Sequence, residues 1–331
     1  NAVPEEMTHT EDEADLNYVL HITEPGNYVL EGKWNGQIYV DLGDKDETFV
    51  DENAKVNIIL NNVDITCTVA PGIIFYSAYE VDNTWEDNQE HSYLVDTNDA
   101  GVTVTLAKDS NNYVCGTNVF RMLKTKYKDD ENTRGVKLQK KQRKIDAAFY
   151  SYVSMNVEGE GSLTIDAGFE GLDSELHLTI SGGDITINSQ DDGINVNEDN
   201  VSVVSFLGGN LTINAGLGVE GDGVDSNGFV YINGGTLNIN NIKMPDSAID
   251  SEDGVYYENG TIVIVGDIPS YEKGSTFKET GRMGDMFNKG DRPNNMNKDP
   301  MNMFDVEFDL EDFKKKVQEL PDDATINDVL E

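Results

Sequence analysis

Apolar and polar residues alternate in short bursts along most of this chain, and between residues 161 and 266 the bursts repeat. Gly161-Ser-Leu163-Thr-Ile165, Gly183-Asp-Ile185-Thr-Ile187, Gly209-Asn-Leu211-Thr-Ile213, Gly235-Thr-Leu237-Asn-Ile239 and Gly260-Thr-Ile262-Val-Ile264 share a glycine followed by two alternating apolar positions. Their glycines lie 22, 26, 26 and 25 residues apart. A second phrase falls between them: Gly171-Leu172-Asp173-Ser, Gly193-Ile194-Asn195-Val, Gly223-Val224-Asp225-Ser and Ala248-Ile249-Asp250-Ser. Alternation rich in β-branched residues, punctuated by Gly, Asn and Asp, predicts strands. Self-similarity at this period, carried by short strands alone, predicts an all-β parallel β-helix whose coils stack and share one core. An immunoglobulin-like or jelly-roll sandwich also has frequent turns but gives no reason for the repeat.

The pattern divides the chain. Residues 1–17 are polar and acidic and read as an arm. Strand signals begin at Tyr18-Val-Leu-His-Ile22 and continue through Tyr28-Val-Leu30, Gln37-Ile-Tyr-Val40, Val56-Asn-Ile-Ile-Leu60, Val63-Asp-Ile65 and Gly72-Ile-Ile-Phe75, so the β-helix is placed at 18–266. Aligned on their strands, Cys67 and Cys115 fall at equivalent positions one coil apart. Stacked strands lie about 4.8 Å apart, a spacing a disulfide can bridge, and two reduced thiols in a core ladder fit equally. Residues 121–144 carry no strand pattern and read as an insertion between coils. Residues 267–303, rich in Met, Asn and Gly, read as an irregular strap or linker. In 304–331, Phe308, Phe313, Val317 and Leu320 have helical spacing, with Lys314-Lys-Lys316 late and Pro321 as a stop. A helix there is expected to cap the open end of the stack.

Charge sharpens the picture. With 62 acidic and 24 basic residues the chain carries a formal charge of -38, which excludes nucleic acid as a partner held through its phosphates. Ten of the 24 basic residues lie in the 121–144 insertion, which is either a solvated loop or a cationic lip for a polyanion. Between Ile145 and Gly266 there are 20 acidic residues and a single basic one, Lys243. No apolar run is long enough for a membrane span. The opening residues do not read as a signal peptide, and Asn1 in place of Met is read as the start of a processed or trimmed product.

In a parallel stack Leu172, Ile194, Val224 and Ile249 form an inward ladder, and Asp173, Asn195, Asp225 and Asp250 point the other way. Glu170, Asp191, Asp192, Glu220, Asp222 and Asp246 fall in the turns just upstream. Carboxylates one strand spacing apart repel by roughly 1 kcal/mol per pair in water and several times that inside a protein. Raised carboxyl pKa values or a bound cation would relieve this. Calcium suits such a site because it takes six to eight oxygens at flexible angles. Zinc would require His or Cys, and His177 is the block's single histidine. The candidate Ca2+ ligands are therefore Asp173, Asp191, Asp192, Asn195, Glu220, Asp222, Asp225, Asp246 and Asp250. A plain water-facing acidic edge is the alternative.

The motifs Ala148-Phe-Tyr-Ser151 with Val153-Ser-Met, Ile180-Ser-Gly-Gly-Asp-Ile-Thr-Ile187, Asp191-Asp-Gly-Ile194 and Gly221-Asp-Gly-Val-Asp-Ser-Asn227 resemble a family of parallel β-helical carbohydrate-binding proteins similar in fold to pectate lyases. Its members are secreted or cell-surface proteins of bacteria that degrade plant polymers. The resemblance covers residues 147–266 well and 18–120 more loosely. It implies a right-handed parallel β-helix, calcium held by acidic turns, and an acidic polysaccharide ligand such as polygalacturonate or pectin, with lyase activity weak or absent.

The residues bear on catalysis separately. A uronate lyase needs a base beside the substrate carboxylate, and Lys243 is the single basic residue of the block. Gln190-Asp191-Asp192 resembles one polygalacturonase motif, but the accompanying Gly-His-Gly and Arg-Ile-Lys motifs are missing. The expectation is a monomeric, secreted or cell-surface, non-catalytic binder. Its candidate carbohydrate contacts are Trp34, Trp85, Tyr256, Tyr257 and Lys243. A calcium-dependent pectate lyase and a structural or adhesive module rigidified by calcium are the alternatives.

Overall fold

The computed structural model describes residues 19–82, 92–117, 145–218, 221–240, 247–257, 262–265, 268–272 and 277–279, all within the unit Asn1–Met283. Period-two alternation becomes strands throughout. The first sheet stacks β1 (Val19–Ile22), β3 (Gln37–Asp41), β5 (Ile73–Ser77), β8 (Ala147–Ser151), β11 (Glu170–Ser174), β14 (Ile194–Val196), β17 (Val224–Ser226) and β20 (Ile249–Ser251), every pair parallel.

The second sheet has two runs joined at its longest strand, β4 (Val56–Thr66), beside which lies β2 (Gly26–Asn35). From the first half of β4 run β6 (Val102–Leu106), β9 (Met155–Gly159), β12 (Leu178–Ile180), β15 (Val203–Phe206), β18 (Phe229–Ile232) and β21 (Gly254–Tyr257). From its second half run β7 (Asn111–Gly116), β10 (Ser162–Ala167), β13 (Asp184–Ser189), β16 (Asn210–Asn214), β19 (Thr236–Asn240) and β22 (Ile262–Val265). The chain visits the three rows in turn, so each repeat contributes one strand to each. The protein is thus all-β with parallel strands, and α1 (Lys45–Thr48) is the one helix among the described residues.

Both phrases act through register. Leu163, Ile185, Leu211 and Leu237 pair in one line, and Ile165, Ile187, Ile213 and Ile239 in the next; all eight are at most 2% exposed. Each such side chain contributes about 1.5–3 kcal/mol on burial. Leu172, Ile194, Val224 and Ile249 form the corresponding inward line of the first sheet, also at most 2% exposed. The glycine before each packs against its neighbour's backbone: Gly171, Gly193 and Gly223 donate N–H bonds of 2.9–3.0 Å to the carbonyls of Asp192, Asp222 and Ser247. The serines that end the second phrase turn the chain. Ser174, Ser226 and Ser251 are buried, and their hydroxyls bond the carbonyls of His177, Phe229 and Gly254 three residues on.

Two expectations change here. Cys115 pairs with Thr66, not Cys67, because β4 contacts β6 and β7 in registers that differ by three residues (Leu60 with Leu106, Asp64 with Tyr113). The one-residue offset sends Cys67 into the interior and leaves Cys115 half-buried, and both thiols are free. Burial pushes both thiol pKa values up. Within the stretch read as an irregular strap, β23 (Ile268–Glu272) and β24 (Phe277–Glu279) pair antiparallel with β22 and β21, so these last parallel strands do not present bare edges. The expected arm, the basic insertion at 121–144 and the C-terminal helical cap lie outside the described residues. No helix among the described residues is long and apolar enough to cross a membrane.

Candidate functional site

On the first sheet, one position of each strand, beside the inward line, faces away from the core. Register makes these residues one line: His21, Tyr39, Ile74, Tyr150, Asp173, Asn195, Asp225 and Asp250. The four positions expected from the second phrase are therefore consecutive members of a longer row, which is aromatic or apolar toward the N-terminal end.

The acidic half holds two groups of carboxylates. Asp222, Asp225 and Asp250, all half-buried, bring ligand oxygens within 4.8 Å of one another. Asp146, Glu170 and Asp173 do the same and are buried, at 5%, 5% and 0% exposure. Asn195 stands between the groups and donates its amide to Glu170 Oε1 at 3.0 Å. Neutral Asn195, between Asp173 and Asp225, removes two repulsive carboxylate pairs from the line. Asn197 donates to Asp173 Oδ1 at 2.7 Å, while the buried Asp173 Oδ2 accepts no hydrogen bond.

The turn carboxylates are tied to backbone. Asp192 Oδ1 accepts the N–H of Asp222 at 2.6 Å, and Asp222 Oδ1 accepts the N–H of Ser247. Asp191 lies beside Asp192, half-buried, its carbonyl bonded by Gly216. Electrostatics record the crowding. Burial pushes the Asp173 carboxyl well above the usual range, and the charges of Glu170 and Asp146 push the same way. Asp192 is pushed up to about 9, first by burial and then by Glu170, against the Asp222 N–H that favours its ionised form. The Tyr150 hydroxyl, which donates to Glu175, is raised by burial and by the charge of Asp173.

The remaining expected residues separate. Glu220, Asp246, Lys243 and Trp85 lie outside the described residues. Trp34 is half-exposed on β2, its Nε1 donating to the Gln37 carbonyl at 3.3 Å, and is not on the row. Tyr257 is 2% exposed and belongs to the core, so it presents no face to a sugar. Tyr256 faces outward but is stacked on Tyr93, with centroids 3.6 Å apart and planes at 13°. That ring face is taken by the segment that follows residue 91. His177 is also accounted for: Nδ1 accepts the Val203 N–H at 3.1 Å, which leaves Nε2 to carry the proton toward Asp82 Oδ2 at 3.2 Å. Asp146 was missed because it lies just after the insertion and belongs to no repeated phrase.

The profile of a family described as carbohydrate-binding domain-containing protein matches residues 17–100 and 88–284. The chain belongs to this family. A carbohydrate-binding domain-containing protein of Acetivibrio thermocellus is 28% identical over 170 residues, 51% of this chain and 44% of the relative. The match thus spans less than half the length of that relative. A solved structure described as a polysaccharide lyase-like protein from C. thermocellum, in a gadolinium derivative, is 24% identical, with a TM-score of 0.46 over 75% of this chain and 84% of that one. The row just described lies within the part that the family profile covers.

Proposed function

We propose that this family member is an extracellular, monomeric, calcium-loaded carbohydrate-binding protein, built as a right-handed parallel β-helix, that recognises acidic plant cell-wall polysaccharide such as polygalacturonate and does not cleave it. The observation that carries the reading is the in-register row Asp173–Asn195–Asp225–Asp250 with its two carboxylate groups.

The residues fit the ion. Their donors are oxygens alone, as a hard cation requires, and the buried Asp173 Oδ2 lacks a hydrogen-bond partner that a cation would replace. Asp222, Asp225 and Asp250 would hold calcium at the half-exposed group, and Asp146, Glu170 and Asp173 at the buried one. Calcium bound at the half-exposed group would neutralise the carboxylates and offer open coordination positions to a uronate. The backbone N–H of Ser247 orients the Asp222 carboxylate, and Asn195 keeps the groups apart. The non-catalytic part of the reading rests on charge. Lys243 is the single Lys or Arg between Ile145 and Gly266, so the row has few candidates for a base that removes a proton beside a uronate carboxylate.

The test is retention on polygalacturonate with calcium and with chelator, the ultraviolet absorbance of unsaturated product being followed in the same sample. Retention that chelator abolishes, with no absorbance rise, is the expected result. Retention that survives chelation removes calcium from the ligand contact, and a rise in absorbance makes the protein a lyase.

A further inference from the structure

The acidic half of the outward row has an aromatic continuation that no expected contact included. His21 and Tyr39 have ring centroids 5.4 Å apart. Tyr39 and Tyr76 follow at 5.5 Å with planes at 26°, close to parallel. Tyr76 meets Tyr152 edge-on at 5.3 Å, and Tyr152 meets Tyr150 at 5.1 Å. His21 is exposed, Tyr39, Tyr76 and Tyr152 are half-exposed, and beneath them Ile74 and Tyr150 are fully buried with Ile145 and Ala147. The visible rings therefore rest on a packed floor that fixes their orientation. Lys45 from α1 places its Nζ 3.8 Å from the Tyr152 ring centroid, setting a cation on the same face.

The inward lines of the sheet fill the core, and these rings are additional, part-exposed apolar surface packed on a second buried cluster in a chain of charge -38. A pyranose presents a face of C–H bonds, whose partial positive charge meets the negative face of an aromatic ring. Tyr39 and Tyr76 come from the paired strands β3 and β5, so they follow one another along the stack, which suits a chain of sugars running parallel to the stack axis. Five register steps separate Tyr39 from Asp225, about 24 Å at the strand spacing. One oligosaccharide can thus lie on both halves of the row.

We propose that Tyr39 and Tyr76 form a sugar-stacking subsite that takes pyranose rings of the same acidic glycan whose uronate sits at the Asp222–Asp225–Asp250 end, with Lys45, seated on the Tyr152 ring, facing a carboxylate of a stacked residue. The proposal rests on the acidic-glycan reading above and extends it from a point contact to a linear binding track. It assigns the stacking role to residues other than Trp34, Tyr256 and Tyr257.

Calorimetric titration of the full chain in calcium with oligogalacturonates of increasing length tests it. Short oligomers engage the acidic end alone, and affinity is expected to climb with length once the chain reaches the rings. Tyr76→Ala, and separately Tyr39→Ala with Tyr76→Ala, should cut the affinity of long oligomers roughly tenfold while leaving short ones unchanged. The Tyr76→Phe variant, which keeps the ring, should retain the gain, and K45Q should lose part of it. An equal length dependence in wild type and Tyr76→Ala overturns the subsite while the acidic-end reading stands. Binding of no oligomer of any length overturns both. Equal losses for short and long oligomers reveal a general folding defect in place of a subsite, and they overturn it too when Tyr76→Phe shows the same loss.

Discussion

Tyr150 and Asp173 are register partners on β8 and β11, and between them the outward row changes from aromatic to acidic. Both are fully buried, and burial raises both pKa values. Burial thus favours the neutral form of both groups at the junction. Away from it the row opens toward solvent in both directions, through Tyr39 on one side and through Asn195, Asp225 and Asp250 on the other. The following outcomes are expected from this layout.

Removing one charge from the half-exposed group separates repulsion from ligation. In the metal-free protein Asp225→Asn relieves two carboxylate contacts, each worth about 1 kcal/mol at the solvent-facing limit, so the melting temperature in chelator should rise by a few degrees. The same substitution removes a ligand, so the upward shift on adding calcium should shrink. A variant that melts lower in chelator and keeps the full calcium shift would show that Asp225 is structural only.

The raised carboxyls give the pH dependence a definite sign. Asp192 titrates at about 9 in the folded chain against an ordinary value of 3.8, so the folded state holds a proton that the unfolded state has released. Its contribution is fully present below about pH 4 and is lost as pH rises toward 9. Asp173 shifts in the same direction. Metal-free protein should therefore lose stability between pH 5 and 8 in urea titrations, and calcium should restore most at the alkaline end by replacing the proton. A stability that climbs with pH in chelator would contradict this assignment.

The second-phrase glycines are required by close approach. A Cβ at Gly193 would lie 2.2 Å from Ile213 Cγ2 and 2.6 Å from the Gly223 carbonyl oxygen. Gly193→Ala should destabilise by about 1–3 kcal/mol or more, read as a lower urea midpoint. It should weaken calcium binding as well, because the displaced backbone carries Asp192 and Asn195.

An amide chain on the opposite flank should matter for stability alone. Asn240 donates to Asn214 at 3.1 Å, Asn214 to Asn188 at 2.7 Å, and Asn188 to Asp166 at 2.8 Å. Asn214→Ala leaves one partly buried acceptor and one donor unmatched, at a cost of roughly 1–3 kcal/mol. Polygalacturonate retention of the folded variant should equal wild type, since this line lies on β13, β16 and β19 rather than on the acidic row.

Much of the fold was legible because a parallel stack repeats its solution. Leu163, Ile185, Leu211 and Leu237 meet the same demand in successive repeats, so spacing alone placed them in one line. The same holds for Asp173, Asn195, Asp225 and Asp250. Where the repeat is interrupted, spacing loses its authority. Cys67 and Cys115 were brought level by counting along strands, yet three additional residues between Leu106 and Tyr113 offset them. Asp146 completes the buried group from a position that no phrase marks.

By itself the sequence determined the parallel strands, the inward aliphatic lines and the acidic face, because these follow from a period of two and a repeat that must stack in register. Only the tertiary structure decided which chemistry each outward position has. Tyr93 comes from a distant loop to cover Tyr256, and Asn195 bonds Glu170 and so divides the acids into two groups. Tyr39, Tyr76 and Tyr152 gather from three separate segments into one aromatic surface. Strand periodicity says which side of a sheet a residue takes; which remote segment meets it there is set by packing between repeats, and that contact has no local period to read.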